Sequence, residues 1–334
     1  MNLSKKIKYF ITHQFIAVIL NEEECHIRLE LTKKGKVLKE DEATFILGEK
    51  SSLTSDIEEY FKNAVTKYKH TYISILLNSS AQGAFSGCDN ERFSSFSVDV
   101  NNVKKICVDN EWMLYASKIE INWIKELFEN FDVDFIYSPF VVLNKYIKDS
   151  KRSEKTILYI LYEGHSLTVI IERNGRFLYG SLFKLNSGKV TELDKIDLQD
   201  DGENSIMLEE LEADDIFEDI EKLDEIGGFE DIDNITPADE VDVNGMVEGL
   251  DENSLIRDEE SESIVQFLKN SLKEFYGNSL YDSSFVEEAK IFEHANINYD
   301  VVDYLEKELL LDVSVKKVNI LKTINELAKE EILG

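Results

Sequence analysis

The chain reads as an α/β protein built from two similarly shaped halves and interrupted by a long acidic, disordered insertion. Three observations predict this. Short apolar strands joined by tight turns open each half, and a helix-spaced segment and a further strand follow them. The two openings, Ala17 to Leu38 and Leu158 to Leu178, share strand lengths and a glycine in the second turn, Gly35 and Gly175, with a residue or two of slip in the first turn. Between positions 190 and 263 about 29 carboxylates face about 3 basic groups, whereas the rest of the chain is nearly balanced.

In the first half, Phe15 to Leu20 is a short apolar strand and Asn21 to Glu24 a turn. Cys25, Ile27, Leu29 and Leu31 then alternate with His26, Arg28 and Glu30, the period of a half-buried strand. Lys34-Gly35-Lys36 turns the chain into a third strand ending at Phe45. Ser55, with Glu58 three residues on, predicts a capping box opening a helix whose Ile57, Phe61, Ala64 and Tyr68 share a face. Tyr72 to Leu77 is a continuous apolar run, expected as a strand buried on both sides. Gly83 to Asn110 is rich in Ser, Gly and Asn and reads as a small insertion. A strand from Trp112, a helix from Lys118 to Asn130, a strand from Val133 to Tyr137 and helical spacing after Pro139 complete this half.

The pattern then restarts. Ile157 to Tyr162, Leu167 to Ile171 and Phe177 to Leu185 read as three strands around Gly164-His165-Ser166 and Asn174-Gly175. In the acidic tract, self-repulsion and a shortage of apolar area predict disorder. Leu208, Leu211, Ile216, Phe217 and Ile220 recur among the acids, the spacing of a helix that forms on a partner, although a solvated linker is the plainer reading. Beyond it come a helix from Ser263 to Tyr276, a strand from Val286 to Phe292, a helix from Tyr299 to Leu311 and a closing helix before Gly334. The organisation is a first lobe at 1–150 with an insertion at 83–110, a second lobe at 151–189 and 264–334, and the acidic insertion at 190–263.

Composition narrows function. A net charge of −30 and the lack of a Lys/Arg stripe argue against nucleic acid. No apolar run reaches the length that crosses a bilayer, and Lys5, Lys6 and Lys8 precede a stretch broken by His13 and Gln14 with no cleavage site, so neither a signal peptide nor direct membrane insertion is expected. Cys25, Cys88 and Cys107 are widely spaced and predict neither a disulfide framework nor a zinc site, which fits a reducing compartment. The five histidines lack the spacing of metal ligands, and Ser166 beside His165 is not a nucleophile and base, because neighbours on a strand point apart. No metal, cofactor or catalytic residue is expected.

Two copies of a three-strand meander followed by helix, strand and helix resemble the actin-like ATPase fold, a duplicated ribonuclease H-like, two-lobed architecture. The order and lengths of Phe15 to Phe45, Trp112 to Ile147, Ile157 to Leu185 and Ser263 to Leu311 are similar to the PilM and GspL proteins of type IV pilus and type II secretion machines. Together these segments cover about two thirds of the chain. Such folds grip ATP with three loops, and the resemblance maps them onto degenerate positions here. The first loop falls at Asn21-Glu22-Glu23-Glu24, where carboxylates repel a phosphate and no glycine allows close backbone approach. The second keeps Gly164, His165 and Ser166, but Tyr162 stands at the metal-holding Asp position, and alternation sends Glu163 to the opposite face. The third falls at Phe292-Glu293-His294-Ala295-Asn296, where side chains occupy the place of a Gly-Gly turn.

The resemblance thus implies a non-catalytic scaffold, peripheral to the cytoplasmic face of an inner membrane, in a pilus, secretion or flagellar-motor machine. Its partner would be the N-terminal cytoplasmic tail of a bitopic, PilN-like membrane protein, with other machine subunits reached through the acidic tract and self-association a further expectation. Two alternatives belong to other classes: an active ATPase of the actin and Hsp70 superfamily, and an acidic chaperone or regulator acting through 190–263.

Overall fold

The apolar runs of the first half become a five-stranded sheet. In a computed structural model that describes residues 10–48, 52–151, 153–185 and 252–334, the chain forms β1 (His13–Leu20), β2 (Glu24–Lys33), β3 (Lys36–Ile46), α1 (Ser55–Lys67) and β4 (Thr71–Leu76). Next come β5 (Gln82–Ser86), α2 (Arg92–Ser95), β6 (Val103–Val108), β7 (Trp112–Ser117), α3 (Lys118–Leu127), β8 (Val133–Tyr137) and α4 (Pro139–Asp149). The second half contributes β9 (Thr156–Tyr162), β10 (Ser166–Arg173), β11 (Arg176–Lys184), α5 (Glu252–Gly277), β12 (Val286–Glu293), α6 (Tyr299–Lys307), β13 (Asp312–Lys317) and α7 (Ile320–Leu333).

The strand order of the first sheet is β3-β2-β1-β4-β8. Its meander is antiparallel, and β4 and β8 add in parallel beyond β1. The second half repeats that path, β11-β10-β9-β12-β13, with the same alternation of antiparallel and parallel neighbours. This repeated order is the duplicated ribonuclease H-like arrangement of an actin-like fold. The equivalent second turns match in detail: Lys34 and Gly35 have φ of 53° and 71°, Asn174 and Gly175 have 58° and 81°. Both are pairs of left-handed residues, as a two-residue hairpin turn requires.

The halves exchange helices. Pro139 starts α4 at the position where its missing N–H costs nothing, and the Ser138 hydroxyl accepts from the Phe140 amide. α4 then packs on β9 and β10 of the second half, while α7 returns to β1, β2 and β4 of the first. Ala17, Leu76, Tyr159, Leu161, Phe140 and Ile324 therefore belong to one core shared by both halves. Tyr146 of α4 and Thr323 of α7 bond across it, hydroxyl to hydroxyl, at 2.7 Å.

Several expectations change. The stretch read as a small insertion forms β5, α2 and β6, which with β7 extend the second sheet to eight strands by pairing Ala84 with Gly180 of β11. Within it Cys88 and Cys107 form a disulfide, leaving Cys25 free and buried, so the cysteines do not support the reducing compartment expected from their spacing. Linear spacing hid this pair, because β5 and β6 both flank β7 and that brings the two Cα atoms to 5.5 Å. The capping box is not formed: Thr54 is the N-cap, without a side-chain bond, and Glu58 pairs with Lys62 at 2.9 Å. The helix after Asn298 ends at Lys307, because Leu310 turns left-handed with φ of 53° and β13 follows. α5 starts at Glu252, inside the range read as disordered. Residues 186–251, and with them the spacing at Leu208 to Ile220, lie outside the described residues.

Candidate functional site

The three loop positions singled out from the sequence converge where the halves meet. In the first turn the Asn21 amide N–H reaches the Glu24 carbonyl at 2.9 Å, and its side-chain Nδ2 donates to His26 Nε2 at 3.1 Å. His26 Nδ1 lies 3.0 Å from the Thr44 hydroxyl, in hydrogen-bond contact with it. The Glu24 carboxylate stands 3.2 Å from His26. Half-buried Glu22 and exposed Glu23 complete an acidic turn.

The second turn closes when the Glu163 amide donates to the Ser166 carbonyl at 3.1 Å. Gly164 takes a φ of 99°, open to glycine and costly for other residues. A side chain there would begin 3.0 Å from the Ala295 Cβ, so the second and third loops are already in contact. His165 is exposed, and its carbonyl accepts from the Leu185 amide at 2.8 Å. Tyr162 is buried against the α5 side of the sheet, where its hydroxyl donates to Glu260. Burial, reinforced by that carboxylate, pushes the Tyr162 phenol well above its usual range.

Glu163 lies on the other face. Both carboxylate oxygens are buried without a hydrogen-bond partner, as is the Ser166 hydroxyl opposite. Burial pushes the Glu163 carboxyl up to about 8; the nearby Ser166 hydroxyl opposes this, from outside hydrogen-bond geometry.

In the third loop the Glu293 carboxylate accepts from the Ile297 amide at 3.0 Å, stapling the turn. The His294 amide donates to the Tyr162 carbonyl at 2.8 Å, and its Nδ1 lies 3.4 Å from the Val318 carbonyl. Burial holds His294 below its usual range; the Val318 carbonyl opposes this, His26 across the cleft adds to it, and Glu42 opposes it.

Sequence reasoning missed a second set of residues at this junction. Arg28 bonds Glu30 at 2.6 Å and Glu40 at 2.5 Å, and also Glu42, while Lys329 of α7 pairs with Glu30. Glu42 in turn accepts from Asn319 Nδ2 at 3.2 Å. These contacts tie β2 and β3 to the segment that enters α7. The alternation of Arg28 with Glu30 was a visible signal for the first pair, whereas Lys329 and Asn319 arrive only through the helix exchange.

A triphosphate with magnesium does not fit these residues. Such a group needs backbone N–H groups free to face phosphate and an acidic side chain turned to the metal. Here the first turn presents carboxylates, Tyr162, which the resemblance maps to the metal position, is a buried phenol, and a Cβ at Gly164 of the second turn would meet Ala295. Among the described residues, no three His, Cys, Asp or Glu side chains are grouped to hold a metal ion.

A family profile described as a domain of unknown function (DUF8341) matches residues 158–333, more than half of the chain. The chain belongs to that family. In this DUF8341 member a second profile, a domain of unknown function (DUF8569), matches residues 10–144; β5, β6 and β7 fall within that match but pair into the second sheet. No curated protein sequence matches it. Solved structures similar to it include a Bacteroides thetaiotaomicron protein with actin-like ATPase fold and unknown function, at 11% identity and TM-score 0.49, covering 98% of this chain and 99% of that one. The PilM-PilN type IV pilus biogenesis complex is similar at 10% identity and TM-score 0.49, covering 95% of each chain. The ethanolamine utilization protein EutJ from Carboxydothermus hydrogenoformans follows at 9% identity and TM-score 0.42, over 96% of this chain and 90% of that one.

Proposed function

We propose that the protein is a non-catalytic scaffold on an actin-like fold, acting at the cytoplasmic face of an inner membrane as an adaptor within an envelope-spanning machine. The observations that carry this reading are the residues at the three loops: a Cβ at Gly164 would meet Ala295 at 3.0 Å, Tyr162 is bonded to Glu260, and Asn21 is bonded to His26. At each of the three loops at least one residue is thus committed to contacts of the protein's own. Enzymatic turnover is not part of the reading.

The partner is the short cytoplasmic tail of a single-pass membrane protein of the PilN kind, taken by apolar pockets and main-chain hydrogen bonds. This assignment follows from the order of elements along the sequence, and the pilus, secretion and flagellar machines are its candidate settings. No helix among the described residues is long and apolar enough to cross a membrane. The acidic tract supplies steering toward basic partner surfaces.

Affinity capture from native membranes tests the proposal. The expected result is a bitopic protein with a short cytoplasmic tail, retained when residues 190–263 are deleted. Capture that depends wholly on 190–263 would favour an acidic regulator, and magnesium-dependent ATP turnover by the purified chain would favour an ATPase.

A further inference from the structure

Buried carboxylates in this fold are matched with donors, with one exception at the junction of the halves. Among the described residues, Glu30, Glu163 and Glu293 are the buried glutamates. Glu30 has Arg28 and Lys329, and Glu293 has the Ile297 amide. Glu163 has neither oxygen bonded, and Ser166 and Thr168, which β10 places opposite it and on the diagonal, also carry buried hydroxyls without partners. These three share the sheet face that α4 covers, as the pairing of Leu161 and Ile170 with α4 in the shared core shows. An unpaired charge in so dry a place is costly, and water admitted by parting the surfaces would relieve that cost.

We propose that Glu163 is a proton-dependent latch between the halves: neutral, it lets the β9–β10 turn lie dry against α4, and ionised, it drives the turn off α4 and admits water to the cleft. The α4 side is contributed by the first half and the turn by the second, so this one proton reports on their contact. The groups around it leave the titration to Glu163. Tyr146 of α4 feels the Glu163 charge, but burial pushes its phenol far above neutrality. Glu326 of α7 and Asp149 of α4 also bear on Tyr146. On β12, Glu293 stands in register with Tyr162 on the opposite face, and His294, with His26 and Glu42 beyond it, is held below its usual range by burial. Protonation of His294 therefore belongs to acid pH, and the Glu163 step to pH above neutral.

The direction is fixed by linkage. The carboxyl is raised from 4.5 to about 8 in the folded chain, so the stability it contributes is full below 4.5 and is lost as pH rises to about 8. Beyond that pH the latch is ionised.

Hydrogen exchange of the full chain at pH 6.5 and 9.5, corrected for intrinsic rates, tests this. In the unmodified protein, peptides spanning 139–149 and 157–171 are expected to lose protection at the higher pH by about tenfold or more, while β1 and β2 keep theirs. Glu163→Gln, neutral at every pH, is expected to retain protection at both. The latch is overturned by protection that does not change with pH, by equal loss in the Gln variant, or by failure of both Glu163→Gln and Glu163→Met to fold. A carboxyl carbon resonance of Glu163 that titrates in the ordinary glutamate range also overturns it.

Discussion

Trp112 of β7 lies flat on Phe177 of β11, with ring centroids 4.8 Å apart and planes 8° from parallel. One ring comes from the first half and the other from the second, and Gly180 beside them lets β5 approach β11. A Cβ at Gly180 would sit 2.8 Å from Phe177 and 3.1 Å from Phe140. The seam joins β5, β6 and β7, which come from the first half of the sequence, to the sheet of the second half. Phe177→Ala is expected to cost about 3–5 kcal/mol in denaturant melts, and Gly180→Val about 1–3 kcal/mol through overpacking. A neutral result for both would mean the seam is not formed.

The glycines of the two second-half turns separate strain from contact. A Cβ at Gly175, where φ is 81°, would meet nothing within 4 Å, whereas one at Gly164, where φ is 99°, would meet Ala295. Gly175→Ala should cost about 1 kcal/mol by backbone strain alone, and Gly164→Ala about 1 kcal/mol more. Equal losses in urea melts would show that the second and third loops do not touch.

The disulfide closes a loop across a sequence separation of 19 between Cys88 and Cys107. Loop-entropy arguments give about 3 kcal/mol for a loop of this size. Adding a thiol reductant should lower the melting temperature, and Cys88→Ser with Cys107→Ser should reproduce the drop and remove its dependence on reductant. Thiol titration of the native oxidised chain should find no accessible group, since Cys25 is buried and burial pushes its thiol up to about 12.

Arg28 neutralises a carboxylate that water cannot reach, as Glu30 is only 1% exposed. Arg28→Met leaves Glu30 with Lys329 alone and is expected to destabilise by about 3 kcal/mol, whereas Arg28→Met with Glu30→Met should recover most of that loss. A double-mutant cycle measured by chemical denaturation decides it. Additive effects of the two changes would contradict the network.

Much of the fold was legible because its signals are local. Apolar runs at Phe15 to Leu20 and Ile157 to Tyr162, the Asn174-Gly175 turn and Pro139 each specify conformation within a few residues, and their recurrence exposed the duplication. β6 and β13 were not legible: Lys104, Lys105, Lys316 and Lys317 lie on exposed edge strands, whose pairing is decided by a neighbour and not by their own alternation. Edge lysines of this kind discourage further strand addition. At the junction, the opposite facing of Tyr162 and Glu163 follows from strand periodicity. The isolation of Glu163 does not, since it depends on α4 crossing from the other half. The link from Arg28 to Lys329 likewise joins positions far apart in sequence.

The central claim is that the cleft is occupied by the protein's own side chains and does not accept nucleotide. Isothermal titration of the purified full chain with ATP and magnesium tests it most directly. No saturable heat, and no shift of the melting temperature under the same conditions, is the predicted result; stoichiometric, magnesium-dependent ATP binding that is lost in Gly164→Val would contradict it.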